Sequence, residues 1–120
     1  MEIGPGKGFF AENYLNQNKS HNYFVIESDQ TCYNSLSKLG TIILDTDTYI
    51  NSNLKFDVVI ISHVLEHVND ELKSLQEMKR VLKEDGILII GMPTRSMAVI
   101  NLFSNVVFTT HIKIYEFFRN

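Results

Sequence analysis

Apolar residues along this chain fall into short uninterrupted runs, separated by stretches with helical spacing, and that alternation sets the expected elements. Tyr23 to Ile26, Thr41 to Leu44, Asp57 to Ile61 and Ile87 to Ile90 are rich in aromatic, β-branched and aliphatic residues, so each reads as a buried strand. Between them, the segment from Lys7 to about Asn18 places Phe10 and Tyr14 on one helical face. From Asp29, a residue type suited to an N-cap, Cys32, Leu36 and Leu39 fall at i, i+4 and i+7, and Gly40 sits where a helix end favours positive φ. A polar stretch after Asp45 leaves room for a short turn of helix before Phe56. Asn69 or Asp70 can cap a further helix, with Leu72, Leu75, Met78 and Val81 or Leu82 as its apolar stripe and Glu84-Asp85-Gly86 as its end. Strands apolar on both faces and separated by helices imply a parallel sheet covered on both sides, a doubly wound α/β fold. Ligands of such sheets bind at the carboxyl ends of the strands, where Glu2, Glu27, Asp45 and Ser62-His63 stand.

Composition narrows the class without naming a function. At 120 residues the chain has material for one core, read as a single domain over 1–120 with a core at 1–93 and a distinct segment at 94–120. A net charge of -3 gives no electrostatic reason to expect nucleic acid. The apolar-leaning run from Met97 to Phe108 is interrupted by Asn101, Ser104 and Asn105 and is too short to span a bilayer, and no signal peptide opens the chain, so a cytoplasmic protein is expected. Cys32 has no partner cysteine and reads as a small buried apolar side chain. No internal repeat and no metal-ligand cluster is readable.

The first eight residues carry the chemistry. Glu2-Ile3-Gly4-Pro5-Gly6-Lys7-Gly8 sets an acid before three glycines at alternate positions, a pattern that lets backbone approach a ligand closely. The dinucleotide fingerprint needs a glycine three places after the second, and Phe9 stands there, which argues against NAD. Three further blocks follow in order: Phe24 to Asp29, a strand ending in an acid; Phe56 to Val68, with Phe-Asp-Val-Val and Leu65-Glu66-His67; and Leu82-Lys83-Glu84-Asp85-Gly86 entering a strand. Together the four blocks resemble the class I S-adenosylmethionine-dependent methyltransferases of the small-molecule type that includes ubiquinone-biosynthesis and glycan-cluster enzymes. Asp85 replaces a glycine of the family pattern.

What the resemblance implies can be set against chemistry. The fold is expected to be Rossmann-like, and the cofactor S-adenosylmethionine. Gly4 and Gly6 would approach its methionine end, Glu2 would bind that end electrostatically, and Glu27, with Ser28 beside it, would accept hydrogen bonds from the ribose hydroxyls. Asp45 would lie near the adenine amino group, with Asp47 as the alternative, and Ser62 and His63 near the methionine moiety. Asp45 and Asp47 could equally be turn residues bonding local backbone, and Glu27 a helix cap. Methyl transfer needs alignment and desolvation more than a dedicated side chain, so no catalytic residue is assigned, with His67 and His111 as candidates for deprotonating an acceptor. The acceptor would be a small molecule offering oxygen, nitrogen or carbon.

Phe103, Val106, Val107, Phe108, Tyr115, Phe117 and Phe118 make the tail apolar, which fits an apolar acceptor pocket, a packed lid helix or surface exposed where strands are missing; the last is favoured over the lid. Met1 to Ile3 is all that precedes the glycine loop, so the first strand is expected to be short and the last two strands absent, as in a domain truncated at both ends. Two readings stay beside the enzyme: a degenerate, non-catalytic protein, and a binding or pairing subunit that self-associates through an exposed sheet edge.

Overall fold

The computed structural model describes residues 1–91 and the backbone of two later strands, 106–108 and 113–116. The chain divides into two compact units, Met1–Ser52 and Asn53–Asn120.

In the first unit three short parallel strands alternate with helices: β1 (Glu2–Ile3), α1 (Phe9–Gln17), β2 (Phe24–Ile26), α2 (Tyr33–Lys38), β3 (Ile42–Ile43) and α3 (Thr46–Asn51). β2 lies between the other two, with Glu2 opposite Val25 and Val25 opposite Ile43. Ladder bonds run past the strand ends, since the Ile42 N–H donates to the Tyr23 carbonyl and the Leu44 N–H to that of Val25, both at 2.8 Å. Asp29 opens the helical segment as expected: its carboxylate accepts from the Thr31 N–H across a single 3₁₀ turn (Gln30–Cys32) that leads into α2. Gly40 closes it with φ of 81°.

Ala11, Tyr23, Val25, Cys32 and Leu36 form the core of this unit, with Tyr14, Leu15, Leu39 and Ile43 packed against them. The buried thiol of Cys32 matches the structural role read from the sequence. Phe10 does not. Its side chain is 40% exposed, because the inner face of α1 is Ala11, Tyr14 and Leu15, at i, i+3 and i+4, which pack into this core.

The second unit holds β4 (Phe56–Ser62), a 3₁₀ turn (Leu65–His67), α4 (Glu71–Val81), β5 (Leu82–Gly91), β6 (Val106–Phe108) and β7 (Lys113–Glu116). β4 and β5 are parallel, with Val59 opposite Leu88 and Ile61 opposite Ile90, and these four side chains are buried. Asp70 rather than Asn69 caps α4, accepting from the Lys73 N–H at 2.9 Å. Leu75, Met78 and Val81 are buried, whereas Leu72, expected in the same stripe, is 45% exposed in the first turn of the helix.

Beyond β5 the expectation of missing strands is corrected. β7 pairs antiparallel with β5, Ile89 opposite Ile114, and β6 pairs antiparallel with β7, Val107 opposite Ile114. Val106-Val107-Phe108 and Ile114-Tyr115 are good strand formers, and β7 satisfies backbone groups of β5 that would otherwise form an open edge. The edge invoked for self-association is therefore occupied at β5. Phe103, His111, Phe117 and Phe118 lie outside the described residues. The architecture is α/β, with parallel strands joined by helices in the Rossmann-like manner expected.

Candidate functional site

The glycine loop leaves β1 through three left-handed residues, Gly4 (φ 68°), Gly6 (φ 57°) and Gly8 (φ 88°). That region disfavours any residue with a Cβ, so the alternate glycines are a conformational requirement of the turn. Each has a separate task. The Gly4 N–H donates to the Ile26 carbonyl at 2.8 Å and continues the β1–β2 ladder into the loop. The Gly6 N–H donates to Glu27 Oε2 at 2.8 Å, and a Cβ on Gly6 would meet nothing within 4 Å, so space stays open over the backbone there. Gly8 caps α1 and is packed: a Cβ would come 2.7 Å from Leu39 Cδ1 and 3.0 Å from Leu36 Cδ2.

Glu27 stands just after β2 and is half-buried. Its Oε2 takes the Gly6 N–H and its Oε1 takes the Asp29 N–H at 2.9 Å, so the carboxylate ties the loop to the end of β2. A carboxylate has about four acceptor positions, and these bonds fill two of them. The Tyr33 hydroxyl donates to the Glu27 carbonyl at 3.0 Å and holds the backbone of the same residue. Ser28 is exposed beside it. Asp29 is held below the usual carboxylate range by its bonds from the Thr31 hydroxyl and N–H. Gly4, Gly6, Glu27 and Ser28 thus meet at one place, the carboxyl ends of β1 and β2.

Glu2 occupies different surroundings. It is the buried charged residue among the described positions, 5% exposed, and its Oε2 accepts from the Tyr23 hydroxyl at 2.7 Å. The pairing follows from the sheet: Glu2 faces Val25, and Tyr23, two residues earlier on β2's approach, projects on the same side. Burial raises the Glu2 carboxyl above the usual range, with the Tyr23 bond and the charge of the terminal amine pulling it back and Glu27 adding to the rise. The Tyr23 hydroxyl is pushed upward by burial and by the carboxylate it serves.

Asp45 is an N-cap. Its carboxylate accepts from the Thr48 N–H at 2.8 Å and from the Thr48 hydroxyl at 2.6 Å, which lower its pKa and start α3. The turn role left open in the sequence is therefore present in the fold. Asp47 is exposed in the first turn of α3.

In the second unit, Ser62 ends β4 and His63 follows it, both exposed. Ser62 is opposite Gly91, where any Cβ would come 2.6 Å from Ser62 Oγ. His63 has φ of 53°, the one positive value outside glycine among the described residues. Its N–H donates to the Gly91 carbonyl at 2.8 Å, and its Nδ1 lies 3.6 Å from Glu66 Oε1. His67 is exposed within the 3₁₀ turn. Among the described residues no cluster of three His, Cys, Asp or Glu can hold a metal ion, and no helix is long and apolar enough to cross a membrane.

The methyltransferase-domain family matches residues 1–90, a span that takes in the glycine loop, Glu27 and the β4 turn. The chain belongs to this family, the class I S-adenosylmethionine-dependent methyltransferases. A solved structure of an S-adenosylmethionine-dependent methyltransferase from Thermotoga maritima, described as a possible histamine N-methyltransferase, is 30% identical, with a TM-score of 0.62 over 78% of this chain and 44% of its own. The mitochondrial arginine-hydroxylase NDUFAF5 of Homo sapiens is 26% identical over 96 residues, 77% of this chain and 28% of that protein. The ubiquinone biosynthesis O-methyltransferase of Haemophilus ducreyi is 44% identical over 43 residues, 36% of this chain and 18% of that enzyme. The chain spans less than half the length of each of these relatives.

Three side-chain contacts at the candidate positions escaped the sequence reading. Tyr23 and Tyr33 look like ordinary core aromatics, and only their hydroxyl partners, Glu2 and the Glu27 carbonyl, reveal more. The signal for Tyr23 was an acid and a tyrosine on adjacent strands, yet pairing them needs the β1–β2 register. Glu66 was seen beside His67, whereas its ring partner is His63, three residues back.

Proposed function

We infer that this chain is the cofactor-binding core of an S-adenosylmethionine-dependent methyltransferase acting on a small-molecule acceptor. One observation carries the reading: the left-handed Gly4 and Gly6 and the carboxylate of Glu27 converge at the carboxyl ends of adjacent parallel strands, with open space over Gly6. Phosphate is poorly suited to such a place, because the carboxylate would repel it. A ribose suits it, since the two acceptor positions left on Glu27 match two neighbouring hydroxyls. When bound, S-adenosylmethionine supplies a methyl group activated by its sulfonium.

The residues divide the work. Gly4 and Gly6 bring the backbone close to the ligand, Glu27 with Ser28 takes the ribose, and Asp45, while capping α3, borders the adenine. Glu2 acts electrostatically on the methionine end, its carboxylate held by the Tyr23 hydroxyl. What remains for the protein is to align the acceptor and exclude water, the main demands of displacement at a methyl carbon. The apolar composition of the tail supports an acceptor with an apolar body.

The test separates Glu27's two jobs. Titration calorimetry compares S-adenosylmethionine with its 2′-deoxy and 3′-deoxy analogues on the wild-type chain and on Glu27→Ala. Loss of one hydroxyl should weaken wild-type binding by about tenfold, roughly 1.4 kcal/mol for a hydrogen bond to a charged group. Glu27→Ala should bind all three ligands alike. A variant that still discriminates would remove the ribose assignment. Transfer of a radiolabelled methyl group then reports the reaction directly, which matters because one relative carries the name of a hydroxylase.

A further inference from the structure

A cleft of about 340 Å³ opens in the first unit, at the opposite end of its three parallel strands from the glycine loop. It lies where α1 and α2 end and the chain turns back toward β2 and β3, so it borders the amino ends of those strands. The nine residues of α1 set the two places roughly 13 Å apart. Lys19, His21 and Lys38 line this cleft together with a single acid, Glu12, and with Leu15 and Leu39 as its apolar part. Two lysines against one glutamate leave it positive even with His21 neutral, on a chain whose net charge is -3. A lysine in the last turn of a helix is ordinary, because it offsets the carbonyls left unpaired there. Only Lys38 fits that account: Lys19 lies past α1 and past its cap, Asn18. Among the described residues neither lysine ion-pairs with a carboxylate. His21 is held in place, with the Tyr14 hydroxyl 2.7 Å from its Nδ1 and the two ring centroids 5.8 Å apart. That contact occupies Nδ1 and leaves Nε2 for a ligand.

We propose that this cleft binds a small phosphate monoester with a hydroxyl-bearing body, at a site separate from that of the cofactor. A phosphate monoester carries a charge of about -1.5 to -2 at neutral pH, spread over three acceptor oxygens. Lys19 and Lys38 supply the opposing charge as two ammonium donors. The Tyr14 hydroxyl donates to Nδ1 of His21, which places the ring proton on Nε2 and makes it the third donor. Glu12 accepts from a hydroxyl of the body, and Leu15 and Leu39 take its carbon skeleton. The volume calls for such a body, since it falls within the roughly 300 to 1,000 Å³ of small-molecule sites and a bare phosphate would leave most of it unfilled. A long polyanion does not suit a chain of net negative charge, whereas a small ligand meets only the local positive cleft. The inference goes beyond the methyl-transfer reading and does not depend on it.

The test uses the full chain, with ribose 5-phosphate, ribose, inorganic phosphate and succinate as probes. Calorimetry gives the affinities, and the amide resonances of Gly40, which lines the cleft, and of Gly6 in the glycine loop locate the bound probe. Ribose 5-phosphate should bind with a Kd below about 1 mM, about tenfold more tightly than inorganic phosphate or succinate, and more weakly as salt rises. Ribose should not bind. The phosphate ester should move the Gly40 amide and leave that of Gly6 in place, and saturating S-adenosylmethionine should not displace it. Lys19→Gln and Lys38→Gln should each weaken binding by about tenfold, and His21→Ala by about threefold, while Lys79→Gln on α4 leaves it unchanged. All three lysines are exposed, so their variants should melt within about 2 °C of wild type. Unaltered affinity in the Lys19→Gln/Lys38→Gln double variant, a shift at Gly6 in place of Gly40, or succinate or bare phosphate binding as tightly as the ester would overturn the proposal. Absence of ribose 5-phosphate binding would overturn it as well. Failure of S-adenosylmethionine to bind would count against the proposed function alone, because the phosphate affinities are measured without it.

Discussion

Glu2 and Tyr23 show how one buried pair governs behaviour at the scale of a residue. A carboxylate at 5% exposure loses most of its hydration, and the single phenolic hydroxyl at 2.7 Å returns part of it. Burial is the larger effect, so the folded-state pKa is raised. The sign of the consequence follows from proton counting. Between the ordinary glutamate range and the raised value, the folded chain holds a proton that the unfolded chain has released, so stability falls as pH rises through that window. Glu2→Gln keeps an oxygen for Tyr23 and removes the titration. Its unfolding free energy should be flatter than wild type from acid to neutral pH, as read by urea melts across pH. Tyr23→Phe should do the opposite, since the bond that lowers the pKa is gone and the fall extends to higher pH. Identical pH profiles for all three proteins would mean that Glu2 is not desolvated in solution.

At the scale of an element, the loop between β1 and α1 depends on Gly8 more than on its companions. Gly6 needs glycine for its φ alone, whereas Gly8 needs it for φ of 88° and for the closeness of Leu36 and Leu39. Gly8→Ala should therefore destabilise by roughly 1 to 3 kcal/mol, the cost of a left-handed non-glycine residue plus displacement of a leucine side chain. Thermal or urea unfolding measures it directly. Gly6→Ala should show the conformational part without the packing part, so a larger loss at Gly6 than at Gly8 would contradict this account. The helix caps were legible beforehand because they are local: Asp29, Asp70 and Gly40 each act within four residues of their own position. Phe10 and Leu72 were misplaced because helical spacing gives a stripe but not which edge of it meets the sheet.

For the whole molecule, the region after β5 decides whether the parallel strands end in an open edge. Ile114 lies between two partners, opposite Ile89 of β5 and Val107 of β6. Proline there cannot donate to a ladder, so Ile114→Pro should lower stability by about 3 kcal/mol in urea unfolding and lower hydrogen-exchange protection at Ile89 and Ile90. An unchanged midpoint would show that β7 does not complete this sheet.

The sequence by itself determined the α/β class, the order of elements through β5, the caps at Asp29, Gly40 and Asp70, the loop glycines and the family, because each is written in local spacing or in contiguous blocks of residues; the end of α4, expected at Glu84-Asp85-Gly86, falls instead at Val81, with those three residues inside β5. It also named Gly4, Gly6 and Glu27 together, since the acid sits at a strand end that hydrophobic patterning defines. Only tertiary structure decided that Glu27 bonds the Gly6 N–H, that Glu2 is buried against Tyr23, and that β7 covers the edge of β5. The physical reason is common to most of these. Strand register, backbone handedness and side-chain burial are set by contacts between residues far apart in the chain, and a linear pattern records the residues without recording which of them meet.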